Sequence, residues 1–103
     1  MSYRLNARPE VSPDILEAAD WYERQQPDLG ADFVREVRHS IQSLRVNPLL
    51  YRIRHAKWRV RWVLLHRFPY QIVFVVDGEL ITILAVMHAK RHDRHWRERA
   101  KAG

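Results

Sequence analysis

The stretch Tyr70-Gln71-Ile72-Val73-Phe74-Val75-Val76-Asp77-Gly78-Glu79-Leu80-Ile81-Thr82-Ile83-Leu84-Ala85-Val86 decides the fold. Two apolar runs, Tyr70–Val76 and Leu80–Val86, flank Asp77-Gly78, a pair that tolerates the positive φ angles of a tight hairpin loop. Both runs are apolar at consecutive positions. Each strand is therefore expected to be covered on both faces, one by helices and the other by a partner or a terminal segment. A third run, Val60–Leu65, precedes them and makes a three-stranded antiparallel meander.

Upstream the apolar period becomes helical. Ser12-Pro13-Asp14 reads as a helix start, with the Ser12 hydroxyl as cap and Pro13 at the first helical position. Ile15, Ala18, Ala19 and Tyr22 form one stripe toward a core. The carboxylates Asp14, Glu17, Asp20 and Glu23 follow the wet face, as solvated charges rather than a converging acid/base pair. Trp21 and Tyr22 are adjacent and cannot both face inward, which leaves one for a partner or a second copy. Pro27 ends this helix.

A second helix opens near Asp28, carries Leu29, Phe33, Val37, Ile41 and Leu44 at helical spacing, and stops at Asn47-Pro48. Tyr3–Arg8 alternates in the manner of a short strand whose partner lies elsewhere in the chain. The expected fold is α+β, in the order β-α-α-β-β-β: an N-terminal strand, an antiparallel two-helix hairpin, the meander and a short basic C-terminal segment. Residues 1–103 are read as one domain.

Composition narrows the function. The chain has no cysteine, which removes disulfides, thiol nucleophiles and thiolate zinc sites together. No apolar run approaches the roughly 20 residues that span a bilayer, and Met1-Ser2-Tyr3-Arg4 lacks a signal-peptide core, so a cytoplasmic protein with no membrane partner is expected. His88, His92 and His95 are spaced as helical metal ligands, but Lys90, Arg91 and Arg94 among them oppose a cation. Neither a metal nor a cofactor is expected.

The charge is one-sided. Residues 49–103 hold twelve Lys/Arg against four acids, or +8, whereas residues 1–48 come to −2. Such a distribution implies an anionic partner: nucleic acid, an acidic protein segment or an anionic surface. Trp58 and Trp62 flank Arg59 and Arg61, an interleaving found on RNA-binding surfaces and equally in ordinary strand alternation.

Particular residues resemble the RelE/ParE superfamily of type II toxin–antitoxin toxins, and its ParE-like or plasmid-stabilisation branch above all. They are Ile15-Leu16-Glu17-Ala18-Ala19-Asp20-Trp21-Tyr22, Leu29-Gly30-x-x-Phe33, Asn47-Pro48, Arg67-Phe68-Pro69-Tyr70 and Ile83-Leu84-Ala85-Val86-Met87-His88-x-x-Arg91, with Trp96 downstream. The resemblance spans nearly the whole chain. It implies a small basic toxin neutralised by a cognate antitoxin whose C-terminal segment wraps it and adds helix or strand to it.

Within that superfamily two modes of action stand open. The RelE mode is ribosome-dependent mRNA cleavage, and the resemblance places its groups on second-strand lysines, an arginine after the third-strand tyrosine, an arginine after the last strand and a C-terminal tyrosine. Here Arg91 matches the last-strand arginine, but Gln71 follows Tyr70, Trp62 and Leu64 stand near the lysine positions, and Trp96 or Arg97 replaces the tyrosine. Were the chain a nuclease, His66 and His88 would carry protons beside Arg67 and Arg91. His88 equally suits a strand-end cap on backbone.

The ParE mode is inhibition of DNA gyrase by binding, and the missing groups favour it. Its partner contacts are expected at Lys90, Arg91, Arg94 and Arg97, with Arg59 and Arg61, and with Trp96 either as an aromatic anchor or packed on the sheet. A third possibility is an inactive homologue that only binds its antitoxin.

Overall fold

The computed structural model describes residues 3–91 and 94–102. In chain order it holds β1 (Arg4–Ala7), α1 (Val11–Gln25), α2 (Leu29–Val46), β2 (Arg61–Leu64), β3 (Tyr70–Asp77), β4 (Leu80–His88) and α3 (Arg94–Ala102). The sheet order is β1-β4-β3-β2. The meander is antiparallel, and β1 lies parallel to β4, which supplies its missing partner.

The expected elements form, with local differences. Helix α1 starts at Val11 after Glu10, and no side chain caps it, so Ser12 lies inside the first turn. Pro13 is tolerated there because the first N–H groups of a helix have no intrahelical acceptor. The two-residue loop of the β3–β4 hairpin is Gly78-Glu79 rather than Asp77-Gly78, since Asp77 pairs with Leu80. Gly78 supplies the positive φ, +59°, at the first loop position.

Both faces of the central strands are covered. On one side Phe33, Val37 and Leu44 of α2 and Ala18 of α1 pack on Ile72, Phe74, Ile81, Ile83 and Val86. On the other, Trp96 of α3 joins Val60, Val73, Leu84, Ala85 and Met87. The C-terminal basic segment thus folds into a helix. It, and not a separate partner, covers the second face.

A β-bulge sets the directions of β4. Val73 faces Ala85 but Phe74 faces Ile83, so Leu84 is the extra residue. Leu84 and Ala85 consequently both enter the α3-side core, and Val86 returns to the helix-hairpin side. The bulge also marks where β1 stops: β1 pairs with Leu80 to Ile83 only, and residues 84–88 have no strand on that edge among the described residues.

Two side chains cap this edge. The Val86 amide donates to Asp14 Oδ2 at 3.0 Å. Arg99 donates from Nη1 to the Leu84 carbonyl at 3.0 Å and to Asp14 Oδ2 at 2.6 Å, and from Nη2 to Asp14 Oδ1 at 3.2 Å. The Asp14 and Arg99 side chains are 9% and 12% exposed. Asp14 therefore belongs to a buried pair and not to the solvated face, and it joins α1, β4 and α3.

Glu23 stays exposed, as expected, but has a second role. Its carboxylate accepts the amides of Asp28 at 2.8 Å and Gly30 at 2.9 Å, capping α2 from the preceding helix. The helices meet closely at Gly30, where an added Cβ would lie 2.5 Å from the Ala19 carbonyl oxygen.

Gly30→Ala is expected to lower stability by about 1 to 2 kcal/mol despite alanine's better helix propensity, because the obstructing atom is backbone. The urea midpoint measures it. Arg99→Met leaves Asp14 buried without its counter-charge and is expected to cost about 3 kcal/mol. Adding Asp14→Leu should recover only part of that loss, since the Leu84 carbonyl and Val86 amide remain unpaired. Full recovery in the double variant would mean that the edge groups find other partners.

Candidate functional site

The free end of β4 opens into a cleft of about 500 Å³ between α1, the β3–β4 end of the sheet and the start of α3. Trp21 and Tyr22 of α1, Tyr70 of β3, His88 of β4, Arg91 and His95 line it, with Asp14 and Glu17 on the same wall. The register explains the assembly. Tyr70 pairs with His88 across the strands, and the bulge turns the far end of β4 toward α1.

Aromatic contacts hold the floor rigid. Tyr22 lies against Phe33, Phe68 and Tyr70, with ring centroids 5.4, 4.8 and 6.0 Å away. His88 meets Tyr70 edge-on at 5.4 Å. Its Nδ1 accepts the Lys90 amide at 3.1 Å, which leaves the ring proton on Nε2. Trp21 contacts Tyr22 edge-on at 5.1 Å yet remains 51% exposed. Tyr22 faces the core and Trp21 faces outward, which resolves the adjacent pair.

Burial shifts Tyr22, Tyr70 and His95 toward their uncharged forms. Burial raises the Tyr70 phenol above its ordinary pKa, aided by Glu17 and opposed by Arg91. Burial, with Tyr70 beside it, raises Tyr22 as well. His95 is pushed below its usual value, first by burial and then by Arg99 and Arg91, against the pull of Asp14 and Glu17. The Arg99 charge is satisfied by Asp14, leaving Arg91 to supply the open cationic side chain of the cleft.

The four residues considered for phosphate cleavage do not share this site. His88 and Arg91 line the cleft, whereas the loop at His66 and Arg67 is tied to α2. Both backbone amides donate to Glu36, and the Arg67 guanidinium lies 3.5 Å from Asp32. Asp32 is held below the usual carboxylate range, chiefly by its hydrogen bond from Arg35. Gln71 is buried at 7% exposure.

Of the expected partner contacts, Lys90, Arg91, Arg94 and Arg59 are exposed, and Arg97 and Arg61 are half-buried. Trp96 is 1% exposed and packs edge-on to His55 at 5.3 Å, so the docked α3 does not present its ring. Tyr70 was not among the expected site residues, and of Trp21 and Tyr22 the expectation was only that one of them meets a partner or a second copy. Their adjacency was the signal for that expectation. Among the described residues no cluster of His, Asp and Glu could hold a metal, and the histidine triplet considered for one includes His92, outside the described residues. No described helix is long and apolar enough to cross a membrane.

Comparison with known proteins fits this geometry to a family. A family model described as "ParE toxin of type II toxin-antitoxin system, parDE" matches residues 6–93. No curated protein matches. Among solved structures, the chain is similar to one from the "Chromosomal ParDE TA system from P. aeruginosa", at 21% identity and a TM-score of 0.74 over 84% of this chain and 96% of that one. It is also similar to the E. coli toxin RelE, in a doubly arginine-to-alanine mutant in the free state, at 13% identity and a TM-score of 0.61 over 99% and 98% of the two chains. At these identities the structural likeness is one of fold.

The His95 shift predicts a pH dependence. Because its folded pKa lies below the ordinary 6.5, the unfolded chain binds more protons between the two values. This contribution to stability is complete above about pH 6.5 and is lost as pH falls from there through the folded value. Denaturation followed from pH 7.5 to 5 should show that loss, and His95→Gln should reduce the slope.

Proposed function

The chain belongs to the ParE toxin family of type II toxin–antitoxin systems, and on that premise we propose that it inhibits DNA gyrase by binding and is neutralised by a cognate antitoxin. The observation that carries a binding mode is the dispersal of the phosphate-cleavage candidates. In-line attack by a ribose 2′-hydroxyl needs cations fixed on the phosphate and proton carriers beside them. The cleft offers Arg91 as its open cation, with Glu17 on the wall where a phosphate would be repelled.

The same cleft suits a peptide. Exposed Trp21 supplies an apolar platform, Arg91 a partner for a carboxylate, and β4, beyond the Leu84 carbonyl and Val86 amide that Arg99 and Asp14 take, a short strand edge. The antitoxin's extended segment is proposed to lie there. A cytoplasmic setting accords with such a target.

Purified toxin is expected to suppress gyrase supercoiling and to accumulate cleaved DNA, and stoichiometric antitoxin from the neighbouring reading frame should reverse both effects. Trp21→Ala should weaken antitoxin binding by at least about tenfold, roughly 1.4 kcal/mol, while leaving the supercoiling effect in place. Undisturbed supercoiling at excess toxin would overturn the gyrase reading. Transcript cleavage by the pure chain, abolished by His88→Ala or Arg91→Ala, would establish the nuclease instead.

A further inference from the structure

A second concentration of charge lies at the opposite edge of the sheet, on the segment that leads into β2. Residues 51–62 contain Arg52, Arg54, Lys57, Arg59 and Arg61 and no acid. The segment is a fastened hairpin. His55 and Val60 form an antiparallel bridge. The Arg54 and His55 amides donate to the Val60 carbonyl at 2.7 and 3.3 Å, and the Val60 amide donates to the His55 carbonyl at 3.2 Å. Arg61 donates to the Tyr51 carbonyl and closes the base.

The four-residue turn 56–59 ends at Arg59 with φ of +54°, a left-handed conformation that a non-glycine residue keeps only where its surroundings impose it. Val60 beside it is fully buried and bridged to His55.

The hairpin holds its cations outward. Arg54 lies 5.2 Å over the Trp62 ring, and Lys57 lies 5.1 Å over Trp58. Both rings are half-buried against the α3-side core. Arg52, Arg54, Lys57 and Arg59 are exposed, and among the described residues none of them pairs with a carboxylate.

We propose that this hairpin is a binding site for the phosphate backbone of duplex DNA. Cations that no carboxylate neutralises can take up phosphates and release counterions from a polyanion without first breaking an ion pair. An acidic peptide fits less well, because protein interfaces are built around apolar anchors. Within residues 51–62 no large apolar side chain is exposed, and Leu49, Leu50 and Leu64 border the segment rather than lie among its cations. A single strand also fits less well. Its bases need open rings for stacking, and here the cations already roof both tryptophans. The proposal is independent of whether gyrase is the target.

The test titrates the full chain into a labelled DNA duplex, followed by fluorescence anisotropy from about 50 to 200 mM salt. Arg54→Gln/Lys57→Gln/Arg59→Gln is expected to bind at least tenfold more weakly at low salt. Its slope of log K against log salt should shrink by up to about 2.7, at roughly 0.9 per phosphate contact. Arg24→Gln/Arg35→Gln/Arg38→Gln removes the same charge from the helical layer and should leave the slope unchanged. Arg54→Lys/Arg59→Lys keeps the charge and should keep the binding, which separates charge from folding.

Three results would overturn the proposal: equal losses in both glutamine variants, tighter binding to an unstructured RNA strand or to polyglutamate, or the absence of salt-dependent DNA binding by the wild-type chain.

Discussion

The fold depends on how the unpaired half of β4 is closed. A buried strand edge exposes amides and carbonyls that must find partners, and β1 ends before it can supply them past Ile83. Asp14 takes the Val86 amide, Arg99 takes the Leu84 carbonyl, and the two charges neutralise each other. An ion pair buried this deeply contributes little net stability by itself. Its value here lies in position, because the two residues are 85 apart in sequence and together fix α1, the bulge and α3 to one point.

Much of the remaining architecture follows from that point. With α3 held by Arg99, Trp96 comes to rest on the second sheet face and the apolar surface of β3 and β4 is closed from within the chain. With α1 held by Asp14, the helix runs past the end of β4 and its outward Trp21 overlooks the gap. The cleft is the space left where a short β1 and a long β4 fail to match in length, walled by the elements that cap the strand.

The sequence made the hairpin, the helix pair and the order of elements legible, because each has a strong local signature: Asp77-Gly78, the Ile15 to Tyr22 stripe, Asn47-Pro48. What escaped was long-range. Asp14 sits about one turn ahead of Glu17 and two ahead of Asp20, and periodicity assigns it to water, yet it lies at the helix start, against the strand edge. Leu84 resembles every other apolar residue of β4, so nothing local marks it as the bulge. Helix α3 is so rich in Arg and Lys that it reads as a solvated tail, and Trp96 is its one strong apolar anchor. For the site, His88 and Arg91 were legible from the family pattern, but their distance from Arg67 was not. The loop that carries Arg67 is held by Asp32 and Glu36, on a different element.

The division of charge then acquires a structural meaning. The cleft at the β4 edge has mixed sign, aromatic walls and a carboxylate facing its arginine. The hairpin before β2, across the sheet, is cationic throughout and presents no apolar anchor. A peptide can complement the first surface and a polyanion the second, and the sheet order sets the β4 edge and the β2 edge on opposite sides of β3. Occupying one edge does not require uncovering the other. On this arrangement an antitoxin segment seated beside β4 would leave the cations at Arg54, Lys57 and Arg59 open, so that neutralising the toxin and retaining its hold on nucleic acid are compatible states of the same fold.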